Sequence, residues 1–281
     1  MKSCVIDRCV LITNGNLAVM VALAPWIKKY RKNIVKIYIT HRLPAEKSNI
    51  KGLLRMLYKS GWDYTYLKLW VNKIAPLIVK LKGWPADLAD YISRAKLDIP
   101  IEKVYSVNEP RVIEEIKGMG TQLLISYAAT EKFCNSLINA PLVGAINVHP
   151  SPLPAYAGLS PYFWELYNEE PNYGFTLHRI VSRLDAGPII EQLIEQAGDT
   201  RTVLRIIIRM TEVASEMLTR FFEGTTGFDR QWDQDLSKRS YFRHPTRAQV
   251  KDFKARGYRM LDSASKAHML ERVQEVAEEL K

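Results

Sequence analysis

Apolar positions along the chain switch between two rhythms. Residues 10–13, Val-Leu-Ile-Thr, form a short β-prone run stopped by Asn14, Gly15 and Asn16, and residues 17–30 follow as an apolar stretch with a basic end. This predicts a strand, a turn and a helix. Residues 34–40 read as a second strand, which completes a βαβ unit and implies a parallel sheet with its ligand site at the carboxyl ends of the strands. Residues 53–81 mix Trp62, Tyr64, Tyr66 and Trp70 with regularly spaced apolar residues and predict one or two helices packed on the sheet or on a partner. The alternation continues with a strand at 104–107, a helix at 109–117, a strand at 122–126, a helix at 131–138 and a strand at 145–148. Residues 174–181 alternate as a strand does, and 200–223 have the spacing of a long amphipathic helix. From residue 225 the chain is polar and turn-rich, and 249–281 read as helical. The pattern predicts an α/β domain over 1–224 and a small C-terminal extension over 225–281 with no core of its own.

Composition narrows the class. A chain of 281 residues with 47% hydrophobic content can bury a sizeable core. Its three cysteines, Cys4, Cys9 and Cys134, are odd in number and lack metal-type spacing, so they read as reduced thiols in a cytoplasmic protein without a metal site. No apolar run approaches the length of a membrane span, and the start, MKSCVIDRCVLIT, has no small-residue cleavage site, so a soluble, unprocessed protein with no membrane partner is expected. A net charge of +10 attracts anions such as nucleotide phosphates or nucleic acid, although a generally basic surface accounts for it equally well. The Asn14-Gly15 loop fits an ordinary turn better than a phosphate loop, because a lone glycine is a weak sign.

Two stretches carry candidate chemistry. In Ala145-Ile146-Asn147-Val148-His149, residues two apart share a strand face, so Asn147 and His149 project together at a strand end. The proline-punctuated run from Pro150 to Pro154 behind them suits a rigid pocket wall. In the second stretch, Asp185 is followed at once by Ala186, Gly187 and Pro188, a tight turn in which a carboxylate can be aimed. An amide donor, an imidazole and a carboxylate fit acyl transfer to an amine, which sheds a proton while the carbonyl oxygen gathers charge. Taken singly, each residue reads more simply as a structural histidine, a cap or an Asx turn.

Together the stretches resemble a known family. Asn147-Val148-His149-Pro150-Ser151-Pro152-Leu153-Pro154 is similar to the Asn-x-His-x-Ser-Leu-Leu-Pro signature of the formyltetrahydrofolate-dependent formyltransferases, and Leu184-Asp185-Ala186-Gly187-Pro188-Ile189-Ile190 resembles their aspartate loop. The strand Thr176-Leu177-His178-Arg179 looks like the sugar-nucleotide branch, which stands beside the methionyl-tRNA branch. The resemblance implies a Rossmann-like catalytic domain, with 10-formyltetrahydrofolate as co-substrate. It implies catalytic roles for Asn147, His149 and Asp185, and folate contacts through the backbone at Ser126, Tyr127, Ala128, Ala129, Val181, Leu184 and Asp185. The loop holding Ser151, Pro152, Leu153, Tyr156 and Gly158 corresponds to the acceptor loop of that family. Pro152 replaces a leucine there, and the basic residue that many relatives place before the glycine is missing. Tyr162, Phe163 and Trp164 then bury a helix face or stack on a base or sugar.

The implied reaction is formyl transfer to the amine of a small anionic acceptor, with an amino sugar nucleotide the preferred one. An amino acid, glycinamide ribonucleotide and methionyl-tRNA remain alternatives, as do hydrolysis of formyltetrahydrofolate and folate binding without catalysis. A tRNA acceptor is disfavoured because that branch carries a C-terminal barrel of about a hundred residues, more than follow Gly224. Nucleic-acid binding by Lys238, Arg239, Arg243 and Arg247 is weaker than a solvated charged face. For a homodimer, Tyr241, Phe242 and the last helix compete with residues 53–70 as the surface.

Overall fold

The computed structural model describes residues 6–40 and 49–280; Cys4 lies outside the described residues. Strand β1 (Cys9–Thr13) is buried along its whole length and leads through Asn16 into helix α1 (Leu17–Tyr30). The Asn16 side chain accepts the Val19 N–H at 3.0 Å and caps that helix. β2 (Ile34–Thr40) returns parallel to β1. Next come α2 (Asn49–Leu69), a π-turn at Trp70–Ile74, α3 (Ala75–Leu81), α4 (Leu88–Arg94), β3 (Ile101–Val104) and α5 (Pro110–Gly118). β4 (Leu123–Tyr127), α6 (Asn135–Ile138), β5 (Gly144–His149), β6 (Ala157–Gly158), α7 (Pro161–Tyr167), β7 (Asn172–Arg179), β8 (Ile189–Gln196) and α8 (Val203–Phe222) complete the first 224 residues. β9 (Tyr241–Phe242), α9 (Arg247–Ala255) and α10 (Ser263–Glu278) follow.

Seven strands form one sheet in the order β3-β2-β1-β4-β5-β7-β8, parallel as far as β5, with β7 and β8 antiparallel. Helices cover both faces, as the alternating pattern predicts. Cys9 and Leu11 of β1 join one apolar cluster with α1, α8 and α10, while Val10 and Ile12 join a second with α5. Period-two alternation with both sides apolar is what a sheet sandwiched between helices requires. On the larger side α1 packs against α8, whose apolar stripe buries ten residues, Met217 and Leu218 among them.

Several boundaries differ from the sequence expectation. The strand expected at 104–107 lies at Ile101–Val104, because pairing with β2 ends at Val104 and the chain then turns toward Glu131. The Glu131 carboxylate accepts from the Ser106 hydroxyl, the Val107 N–H and the Asn108 amide. That bridge holds residue 131 outside the helix expected at 131–138, which is confined to Asn135–Ile138. Residues 53–81 are broken twice, at Gly61 (φ 77°, ψ 177°) and by the π-turn. The C-terminal helical stretch is two helices, each opened by a capping box, Thr246 with Gln249 and Asp262 with Ser265. β6, β8, β9 and α4 are additional.

Val250, Phe253, Tyr258, Met260, Met269 and Val273, all beyond residue 225, are buried in the same cluster as α1 and α8. The Phe253 ring lies 4.8 Å from that of Phe163 and 4.9 Å from that of Tyr258. Phe253→Ala is therefore expected to cost about 3–5 kcal/mol, with a single cooperative transition in calorimetry. An early separate transition for the C-terminal residues would contradict this shared core.

Candidate active site

β5 ends in the middle of the sheet between β4 and β7, and its register brings four polar side chains onto one face. Asn147 stands opposite His178, and His149 opposite Thr176, in the antiparallel pairing of β5 with β7. His149, Thr176 and His178 are buried. The Asn147 Nδ2 lies 3.2 Å from His178 Nε2, and His178 Nδ1 lies 2.8 Å from the Arg179 carbonyl. A carbonyl only accepts, so Nδ1 carries the proton and Nε2 accepts from Asn147. Burial pushes the pKa of His178 down to about 4, which fits that neutral form. With one Nδ2 proton of Asn147 committed to His178, the second is left to donate elsewhere.

His149 is fixed in the same way. Its Nε2 donates to the Tyr156 carbonyl at 3.2 Å, so Nδ1 faces the Asp185 carboxylate, 3.8 Å away. Asp185 Oδ1 is also 3.9 Å from His178 Nε2, and Oδ2 accepts the Gly158 N–H at 2.9 Å. The aspartate occupies the left-handed region, φ 51°, which a short polar side chain tolerates. With His178 Nε2 taken up by Asn147, the imine nitrogen of His149 and a carboxylate oxygen of Asp185 are left facing each other, and a donor such as an amine N–H or a water is the group that suits them.

The loops around these residues are held by contacts distant in sequence. Thr176 Oγ1 donates to the Ser151 carbonyl at 2.7 Å and accepts the Leu153 N–H at 3.2 Å, while the Gln192 amide donates to the Leu153 carbonyl at 2.8 Å. Gln234 Nε2 bridges the carbonyls of Asp185 (3.1 Å) and Gly187 (2.6 Å), and Arg239 donates to Leu184 at 3.0 Å. Two glycines are sterically required. A Cβ at Gly158 (φ 100°) would lie 2.3 Å from the Phe242 carbonyl oxygen across the β6–β9 pair, and one at Gly187 would lie 2.0 Å from that of Arg179.

The structure brings Asn147, His149 and Asp185 together. Within the expected acceptor loop, Ser151 and Leu153 are buried and Tyr156 is nearly so. The Ser151 hydroxyl donates to the carbonyls of Ala155 and Tyr156, and the Tyr156 ring stacks on Phe242 while its hydroxyl meets Glu170 and Asn168. Those three side chains face protein, leaving Pro152 and the Gly158 backbone half-exposed. Phe163 and Trp164 bury the face of α7, and Tyr162 accepts from Lys68 at 2.9 Å.

Ser126 and Tyr127 end β4 beside β5, in register with Asn147 and Val148, and Ala128 turns away with φ 53°. The backbone N–H groups of Ala128, Ala129 and residues 181–185 make no hydrogen bond among the described residues. These two loops follow the strands on either side of β5 and hold unspent backbone polarity. Among the described residues no group of three or more His, Cys, Asp or Glu is arranged to hold a metal ion. Sequence reasoning did not single out His178, Thr176, Gln192 or Gln234 as site residues. His178 and Thr176 were reachable from strand alternation once β7 is placed against β5; the two glutamines had no local mark.

The sequence profile of the family described as formyl transferase matches residues 80–221, half of the chain, so the chain belongs to that family and is a formyltransferase. The fold is shared with solved structures at low identity. A sugar N-formyltransferase from Shewanella sp. FDAARGOS_354 is 16% identical with a TM-score of 0.53, over 95% of this chain and 87% of that one. The sugar 3N-formyltransferase WlaRD, solved in the presence of dTDP and 5-N-formyl-THF, is 16% identical with a TM-score of 0.52, over 84% of this chain and 69% of that one. Glycinamide ribonucleotide transformylase 1 from Symbiobacterium toebii is 17% identical with a TM-score of 0.50, over 82% and 95%.

The His178 shift has a testable sign. Its folded pKa lies below the unfolded value of 6.5, so the unfolded chain binds the proton first and stability falls as pH drops from 6.5 toward 4. Between pH 7 and pH 5 this one residue is expected to cost roughly 2 kcal/mol. Urea midpoints for the parent and His178→Gln should diverge over that window, and parallel pH profiles would refute the assignment.

Proposed function

We propose that the enzyme transfers a formyl group from 10-formyltetrahydrofolate to the amine of a small anionic acceptor, an amino sugar nucleotide being the preferred one. The observation that carries this reading is the convergence of Asn147, His149 and Asp185, from two distant stretches, around a point suited to an N–H donor. Family membership supports the reaction class. The crystallised WlaRD, with dTDP and 5-N-formyl-THF present, is a sugar formyltransferase of this fold and lends weight to the donor and the acceptor.

The folate supplies the formyl group as co-substrate: its C–N10 bond breaks as the new C–N bond to the acceptor amine forms, and the amine proton ends on N10. The backbone at Ser126, Tyr127, Ala128, Ala129, Val181, Leu184 and Asp185 is assigned to hold it. Asn147 donates its second Nδ2 proton to the carbonyl oxygen as charge gathers there, and His178 fixes the direction of that amide. His149 Nδ1 takes the amine proton, and Asp185 stabilises the imidazolium that forms. Gly158 holds Asp185 in place. Pro152 and the backbone at Gly158 face the acceptor.

A glycinamide ribonucleotide acceptor is the second reading, favoured by the shared fold of the transformylase. Folate release from 10-formyltetrahydrofolate should be followed against amino sugar nucleotides, glycinamide ribonucleotide, hydroxyornithine and charged initiator tRNA. Release that depends on an amino sugar nucleotide is the expected result. Release without any acceptor would indicate hydrolysis. Asn147→Ala should lower kcat by about 10²–10³ and His149→Ala by about 10²–10⁴, both with unchanged circular dichroism. Near-normal turnover in the His149 variant would remove the mechanism.

A further inference from the structure

The first half of α2 carries an apolar stripe that the other described residues leave exposed. Ile50, Leu54 and Tyr58 recur every four residues, on one helical face, and are 66%, 57% and 82% exposed. Trp62 follows just past the Gly61 break, is 60% exposed, and stacks on Tyr66 with centroids 5.8 Å apart and planes at 15°. Neighbouring large apolar side chains bared in a row are uncommon on a monomer surface and mark a contact site.

Charge decides the partner. From residue 47 to residue 62 the sequence contains Lys47, Lys51, Arg55 and Lys59 and no acidic residue. Arg55 and Lys59 are exposed and form no ion pair among the described residues. A second copy meeting this face about a two-fold axis would set the basic row against itself, which is repulsive. An apolar stripe flanked by lysine and arginine, and ending in tyrosine and tryptophan, is instead the arrangement of a helix lying in a lipid interface. The backbone supports such a posture. At Gly61 the helix leaves α geometry, so residues 49–60 form an arm with an axis of its own.

We propose that this arm docks on an anionic lipid surface, with Ile50, Leu54, Tyr58 and Trp62 entering the headgroup boundary and Arg55 and Lys59 meeting lipid phosphates. No helix among the described residues is long and apolar enough to cross a membrane, so the contact is peripheral. It departs from the sequence expectation of no membrane partner, which considered spanning segments and a cleaved leader. It is independent of the identity of the formyl acceptor.

The full-length protein should be sedimented with phosphatidylcholine vesicles with and without phosphatidylglycerol. Binding to the anionic vesicles alone, weakened by salt, is the expected result. The double variant Arg55→Ser, Lys59→Ser should bind about thirtyfold more weakly, and Leu54→Ser, Tyr58→Ser at least about tenfold more weakly. Formyl transfer in vesicle-free solution should be unchanged in both. Equal binding to neutral vesicles, or none to either, would overturn the proposal. So would light scattering that shows a dimer abolished by Leu54→Ser, Tyr58→Ser without vesicle binding, since the face would then belong to a second copy.

Discussion

The Gly158 N–H donates to Asp185 Oδ2 at 2.9 Å, joining the loop after β5 to the loop after β7. The same carboxylate reaches toward two imidazoles with its other oxygen. Most of the local architecture makes this one bond achievable. Gly158 must be bare for its strand to pair with β9, Gly187 must be bare for the turn to close against Arg179, and Asp185 must accept a left-handed backbone. Gln234 then holds the turn by two carbonyls at once. A buried carboxylate that lacks donors is costly, and the N–H of Gly158 supplies one to Asp185.

Much of the framework was legible because it obeys short-range periodicity. The helix expected at 17–30 is found at Leu17–Tyr30, and Asn147 with His149 share a face because a strand repeats every two residues. What local pattern could not convey was pairing. His178 belongs beside Asn147 only after β7 turns back antiparallel to β5, a reversal that βαβ alternation does not announce. Gln234 lies 49 residues from Asp185 in sequence, and an isolated glutamine in a polar stretch carries no hint of a distant carbonyl. Glu131 misled for the converse reason: its helix-favouring side chain is drawn out of the helix by three donors near residue 107.

The two histidines show how similar side chains are given different tasks. Each is bound through one nitrogen to a backbone carbonyl, which sets its tautomer. His178 spends its second nitrogen on Asn147, whereas His149 leaves its second nitrogen facing the carboxylate. One ring is thereby a fixed acceptor for Asn147 and the other presents its second nitrogen to the carboxylate, a division made by hydrogen-bond partners and strand register together.

The closure of position 187 to any side chain has a consequence for how such a scaffold can diversify. The turn that carries Asp185 cannot be resized without displacing the Arg179 backbone, and the loop after β5 is pinned by Thr176 and Gln192. The segment from 225 to 246 reaches the same turn through Gln234 and Arg239, so the shape of that turn is also set by residues distant in sequence. Any change in the shape of that turn must therefore be absorbed by several segments at once, which makes it a joint in the fold rather than a free surface loop.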